Sequence, residues 1–228
     1  MEVREVEAQY ERWLRGRSPV ALYVRWYLRH RKPREAARIW ERIGAGCYPR
    51  VLDAGCAGGF YLEDAYRRGH GATLLAGVDL SETLLAEAAV RLVRAAAGTH
   101  VVLERAAATD LPFGDGSFDA VLSNGMVKYL DDAGLDRFCA EARRVLAPSG
   151  RLCVAEFGPP VGWGGRVDLG RVGIPTEHLR TRGELASAFG RAGFAEVRAF
   201  DVKRIRRIPL AYVGAAGSRP VTDEPAGA

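Results

Sequence analysis

The chain has 228 residues, 48% hydrophobic and 27% charged, with a formal net charge of +5. That length suits one domain with a sizeable core, and the composition excludes disordered and fibrous classes. No apolar run reaches the roughly 18 residues that span a bilayer. The charged N-terminus lacks the apolar stretch of a secretory signal, so a cytoplasmic setting is expected.

The first 43 residues read as two or three helices. Pro19 and Pro33 each suit a first helical turn, with Ser18 as a cap. Val20, Tyr23, Val24 and Tyr27 lie at i, i+3, i+4 and i+7, an apolar stripe. The same region is basic: Arg12, Arg15, Arg17, Arg25, Arg29, Arg31, Lys32, Arg34, Arg38 and Arg42 face only Glu35 and Glu41. Such a run fits a solvated helical face, or a patch for nucleic acid or an anionic substrate.

Strand and helix then alternate. Strands are expected over 50–53, 74–79, 101–105, 118–123 and 151–157, with helices between them. Ser81 is a plausible cap for a helix whose Leu84, Leu85, Ala88 and Leu92 share a face. Leu135, Phe138, Ala142, Val145 and Leu146 mark the helix before a Pro148-Ser149-Gly150 turn. This alternation predicts an α/β fold with a parallel sheet covered on both faces. Residues 158–175 are too rich in Gly and Pro for a regular element. Thr181-Arg182-Gly183-Glu184 reads as a capping box, and Leu185, Ala188, Phe189 and Ala192 line the helix behind it. Closing strands are expected over 197–202 and 208–213. The four cysteines form no C-x-x-C and are expected as buried free thiols. The four histidines are scattered without ligand spacing, so no metal site is expected.

The most informative segment is Asp53-Ala54-Gly55-Cys56-Ala57-Gly58-Gly59, a glycine-rich turn between an apolar strand and a helix starting near Phe60. Such a turn brings backbone amides close to a ligand. The dinucleotide pattern G-x-G-x-x-G fails, because Ala57 and Phe60 occupy its second and third glycine positions. The phosphate-binding loop fails too, since no Gly-Lys-Ser/Thr follows. The pattern D-x-G-x-G-x-G matches at Asp53, Gly55 and Gly59, with Ala57 as the departure. Asp79 ends the second strand about 20 residues on, where a carboxylate can accept two ribose hydroxyls. Further on stand Leu111-Pro112-Phe113 and Ser117-Phe118-Asp119.

Together these residues resemble the class I S-adenosylmethionine-dependent methyltransferases, specifically the small-molecule branch related to quinone-biosynthesis methyltransferases. The resemblance covers roughly residues 50–213. It implies a doubly wound, mostly parallel seven-stranded sheet with an antiparallel last strand, plus N-terminal helices. It implies a single methyltransferase domain over 1–217, with a helical cap over 1–46, a variable lid over 158–180 and a disordered tail over 218–228. It also implies cofactor contacts at Asp53, Gly55, Cys56, Ala57, Gly59, Asp79, Leu80, Ala107, Ala108, Thr109, Asp110, Ser123 and Asn124. Ala107 stands where the family usually carries the Asp that meets the adenine amino group. Backbone groups of Ala107 and Ala108, or Asp110, are the substitutes, with a turn role for Asp110 equally open. Ser123 and Asn124 would approach the methionine part of the cofactor. Ser123-Asn124-Gly125-Met126 lacks the Asn/Asp-Pro-Pro-aromatic motif of DNA amino-methyltransferases.

A sulfonium methyl is already activated, so alignment and desolvation can provide most of the acceleration. A base is needed only if the nucleophile keeps its proton. The candidates are His178, Tyr129 and Glu156. Lys128 and Tyr129 stand where the family often has two histidines, and are either substrate contacts or the start of a surface helix. Acceptor choice would come from Tyr10, Trp13, Tyr23, Trp26 and Tyr27 and from the lid with Pro159, Pro160 and Trp163. The reading is transfer of a methyl group from S-adenosylmethionine to a small organic molecule, with no nucleic acid or membrane span and the oligomeric state open. The alternatives are an RNA or protein methyltransferase using the basic helices, and a non-catalytic protein on a degenerate methyltransferase fold. Ala57 is expected to keep a negative φ in a slightly altered loop.

Overall fold

The structure is a computed structural model that describes residues 32–44, 48–68, 71–96, 98–160, 175–204 and 211–221, and residues 5, 8, 16, 17, 22 and 26. Helix α1 spans Lys32–Ile43, with Pro33 in its first turn. Strand β1 (Arg50–Ala54), α2 (Phe60–Arg67), β2 (Leu74–Asp79), α3 (Glu82–Ala95) and β3 (His100–Arg105) follow. Then come β4 (Phe118–Asn124), a short 3-10 turn (Val127–Tyr129), α4 (Asp132–Val145), β5 (Leu146–Phe157), α5 (Arg182–Arg191), β6 (Ala195–Arg204) and β7 (Ala211–Ser218). The expected apolar stripe on Val20, Tyr23, Val24 and Tyr27 lies outside the described residues, as do Tyr10, Trp13 and Trp163.

Among the described residues the strands form one seven-stranded sheet, ordered β3-β2-β1-β4-β5-β7-β6. Only β7 runs antiparallel to its neighbours, pairing with β5 and β6. The sheet separates two apolar layers. On one face α4 and α5 place Leu135, Phe138, Val145, Leu185 and Phe189 over Leu52, Val121 and Val154. On the other, α1, α2 and α3 place Ile39, Trp40, Leu62 and Leu92 over Val51, Leu75 and Cys153. Neighbours Val51 and Leu52 thus face opposite layers, the two-residue alternation of a strand. A buried side chain of this size contributes about 1.5–3 kcal/mol. An exposed ion pair such as Arg105–Glu82 contributes under about 1 kcal/mol. The apolar layers therefore hold the sheet.

The helix ends follow their local chemistry. Ser81 accepts the Leu84 amide, and Thr181 with Glu184 forms a reciprocal capping box. The Tyr48 hydroxyl donates to the carbonyls of Ile43 and Gly44 at 3.2 Å, closing the end of α1. Two arginines of the basic run serve packing: Arg38 donates to the Val202 carbonyl at 2.8 Å, and the Arg42 guanidinium lies 5.1 Å from the centre of the Phe200 ring.

Three expectations are corrected. Leu146 opens β5, paired with Phe118, instead of closing α4. The register then jumps so that Arg151 pairs with Ala120, and Ser149 takes a φ of 64° in the bulge between. The last strand runs through Ser218, past the expected end at Val213. Its Gly214-Ala215-Ala216-Gly217 stretch has weak strand propensity, but it lies between two strands that demand small residues. A Cβ on Gly214 would come within 2.6 Å of the Phe200 ring and the Val154 carbonyl. The expected tail consequently begins later: Arg219 exchanges backbone hydrogen bonds with Ser149 and Gly150. Residues 208–210 and 222–228 lie outside the described residues.

Substituting Gly214→Ala is expected to destabilise the fold by about 2 kcal/mol through overpacking between β5 and β6. Urea denaturation of the variant beside the unmodified protein checks this; an unchanged midpoint would remove the steric account of this strand.

Candidate functional site

The glycine turn hooks β1 onto β2. The amides of Gly55 and Cys56 both donate to the Val78 carbonyl, at 2.8 and 3.0 Å. Asp79 completes the hook: one carboxylate oxygen accepts the Ala57 amide at 2.9 Å, the other the Ser81 amide at 3.0 Å. Ala57 lies at φ 44°, not at the negative value expected of alanine. This left-handed residue stands in the turn whose Ala57 amide is held by Asp79. Gly55 has φ 81°, and a Cβ on it would lie 2.7 Å from the Met126 side chain. Gly59, at φ 73°, caps α2, where a Cβ would meet Ala88 of α3 at 3.0 Å. The two glycines thus seat the turn between α3 and the segment after β4.

Cys56 is buried against Gly77. Burial pushes its thiol pKa upward, and the carboxylates of Asp53 and Asp79 add to the rise. Burial likewise pushes the Cys139 and Cys153 thiols up to about 12. These three are packing residues, since the thiolate is the reactive form. Asp53 itself is buried beneath the turn.

Beside the turn, Asp79 is half-buried and Leu80 is 46% exposed. The Ala106 amide donates to the Asp79 carbonyl, and the partly exposed Ala107, Ala108 and Thr109 lead into a turn closed from the Asp110 amide to the Ala107 carbonyl at 3.1 Å. Asp110 is exposed at that turn. The next segment is pinned from α4. Glu141 accepts the Leu111 amide at 2.8 Å, while Arg144 donates to the carbonyls of Leu111 and Phe113 at 3.0 and 2.7 Å. Phe113 packs edge-on to Phe118, and Asp119 is clamped by Arg50 at 2.7 Å. The Leu-Pro-Phe and Ser-Phe-Asp runs are therefore framework for the loop that carries the alanines.

The ends of β4 and β5 form the far side. Ser123 is buried, and the Asn124 side-chain carbonyl accepts the Tyr212 hydroxyl from β7. Glu156 is fully buried. It accepts the amides of Lys128 at 3.1 Å and Phe157 at 2.7 Å, and its carboxylate lies 3.6 Å from the Lys128 ammonium. That ammonium also donates to the Gly125 carbonyl and lies 4.4 Å from the Tyr129 ring centre. Burial pushes the Lys128 pKa down, opposed by the charge of Glu156. Arg180, also buried, donates to the carbonyls of Val127 and Leu130 at 3.2 and 2.8 Å and to Asp132 at 2.9 Å.

The structure thus gathers Asp53, Gly55, Cys56, Ala57, Gly59 and Asp79 at the carboxyl ends of β1 and β2, beside the alanine loop that follows β3. Ser123 and Asn124 stand at the end of the adjacent strand β4. Tyr129 and Glu156 meet through Lys128. The His178 carbonyl accepts from Arg180 at 3.0 Å, and the charge of His178 adds the smallest part to a lowering of the Asp132 pKa led by Arg180. Sequence reasoning passed over Tyr212, Arg180, Glu141 and Arg144, whose contacts to Asn124, Val127 and Leu111 cross 30 or more residues.

A methyltransferase domain family matches residues 51–150. The chain is 32% identical over 216 residues to a malonyl-[acyl-carrier protein] O-methyltransferase of Geobacter sulfurreducens, covering 81% of this chain and 75% of that one. It is 35% identical over 126 residues to a demethylmenaquinone methyltransferase of Tropheryma whipplei, covering 53% of this chain but only 49% of the relative. In fold it is similar to the geranyl diphosphate C-methyltransferase of Streptomyces coelicolor, with TM-score 0.66 and 20% identity over 82% of this chain and 79% of that one. The sheet order is that of the Rossmann-like methyltransferase fold. The chain belongs to the class I S-adenosylmethionine-dependent methyltransferases. S-adenosylmethionine fits the residues present: a half-buried carboxylate for hydroxyls, an exposed apolar Leu80 beside it, and a loop of alanines whose small side chains leave its backbone within reach.

An Ala57→Gly change is expected to raise stability by about 0.5–1 kcal/mol. It removes the ~1–2 kcal/mol cost of a left-handed alanine, less the added entropy of glycine in the unfolded chain. Calorimetric melting tests it; a lower melting temperature would contradict the left-handed turn.

Proposed function

We propose that the chain methylates a small organic acceptor by in-line displacement, driven mainly by proximity and orientation. The observation that carries this reading is the Asp79 carboxylate anchoring the glycine turn while remaining half-buried at the strand end. Its oxygens accept the Ala57 and Ser81 amides, and a carboxylate can accept ribose hydroxyls as well. Leu80, Ala107, Ala108 and Thr109 would flank the adenine, with Asp110 as a turn residue. Ser123 and Asn124 would meet the methionine part, Asn124 being oriented by Tyr212. When bound, S-adenosylmethionine supplies an electrophilic methyl on a sulfonium.

Alignment of bound reactants alone is worth about 7–11 kcal/mol. That fits a site whose ionisable groups are engaged in holding it together. Glu156 is committed to two amides and an ammonium, so it positions the turn after β4 and does not act as the base. Tyr129, on that turn, is the better-placed candidate base. The names of the relatives support an organic acceptor. The anchoring of Arg38 and Arg42 on β6 weighs against the RNA reading, because both are used in packing α1. Buried, reduced thiols at Cys56, Cys139 and Cys153 suit a cytoplasmic setting.

Titration calorimetry with S-adenosylmethionine is expected to show saturable binding, weakened at least tenfold, or ~1.4 kcal/mol, by Asp79→Ala. Unchanged affinity would remove the ribose assignment; no heat with the unmodified chain would remove the enzyme reading. Transfer of labelled methyl should appear with a quinol or phenol acceptor. Salt-sensitive retention of RNA in a mobility shift would instead favour a nucleic-acid substrate.

A further inference from the structure

We infer that the buried Lys128–Glu156 pair sets the charge balance at the methyl-donor end of the site, and so how strongly the site distinguishes the sulfonium cofactor from its neutral thioether product. This rests on the proposed placement of the donor sulfur beyond the end of β4.

The pair is tied to that place by direct contacts. Lys128 donates its ammonium to the carbonyl of Gly125, the residue that follows β4. A Cβ on Gly125 would lie 3.6 Å from the Lys128 nitrogen. The next residue, Met126, packs on Gly55 of the glycine turn closely enough to exclude a Cβ there. Glu156 anchors the arrangement from β5, with its carboxylate 3.6 Å from the ammonium. The ion pair therefore stands one short turn from the cofactor loop, with the Lys128 and Glu156 side chains only 6% and 1% exposed. Water screens it poorly, so a net charge there is felt across the site.

Intact, the pair presents a compact dipole whose two charges nearly cancel at a distance. S-adenosylmethionine and S-adenosylhomocysteine differ by one methyl and one positive charge. Removing either member of the pair exposes the other charge, and the two single changes should act in opposite directions. Glu156→Gln leaves an ammonium that repels the sulfonium and spares the thioether. Lys128→Met leaves a carboxylate that attracts it. Among the described residues, Asp53, Asp79, Asp131 and the Arg180–Asp132 pair are further charged groups near the site, and all are kept in every variant.

The test measures the dissociation constants of both ligands by calorimetry and takes their ratio. Each single variant is measured at several pH values beside the unmodified chain. A unit charge within about 10 Å at an effective dielectric of about 20 corresponds to roughly tenfold in affinity. The expected result is a ratio shifted about tenfold toward the thioether in Glu156→Gln and toward the sulfonium in Lys128→Met. The neutral double variant should restore the original ratio. A purely structural role would weaken both ligands alike. Ratios that stay fixed in both single variants, or move in the same direction, overturn the inference. If the unmodified chain binds neither ligand, it is the cofactor reading that fails.

Discussion

The hydrogen bond from the Ala57 amide to Asp79, at 2.9 Å, ties the glycine turn to the end of β2. It crosses from the turn after β1 to the end of β2, and the alanine that makes it is held in a left-handed conformation. A left-handed alanine costs about 1–2 kcal/mol. A hydrogen bond to a charged carboxylate returns about 1.5–3 kcal/mol, and the Ser81 amide adds a second to the same group. The balance favours the strained turn. The consequence reaches further than the loop: with the turn fixed, Gly59 meets Ala88 and Gly55 meets Met126, so α3 and the segment after β4 are both placed relative to β1.

The core strands were legible because their side chains alternate or run apolar for four to six residues, as in Val51-Leu52 and Leu74 to Val78. The helix starts at Ser81 and Thr181 were legible because caps are local chemistry. What stayed hidden depends on distant partners. Gly214-Ala215-Ala216-Gly217 reads as a poor strand, and only the crowding from Phe200 and the Val154 carbonyl explains its small residues. The left-handed φ of Ala57 sits in a turn tied to Asp79, 22 residues away. The Leu111-Pro112-Phe113 run was visible as a family mark, but its physical role follows from Glu141 and Arg144 on α4. Glu156 could be read as a candidate base because the sequence shows a carboxylate at a strand end and says nothing of the two amides that occupy it.

The far side of the site is built on the same plan as the near side. Tyr212 orients Asn124 from β7, 88 residues away in sequence. Arg180 holds Val127 and Leu130 from 53 and 50 residues away. Glu156 holds Lys128 from 28. Each contact fixes a backbone segment that borders the site, and each is made by a group withdrawn from solvent, where hydrogen bonds and charges act more strongly than in water. Burying those groups is costly: removing one partner of a buried ion pair leaves a charge whose loss of hydration costs about 3–5 kcal/mol. A fold that needed only stability would gain more from apolar side chains at these positions. Their concentration at the strand ends is therefore better explained by the demand for a fixed geometry there, since holding groups in place can itself be worth about 7–11 kcal/mol of a barrier.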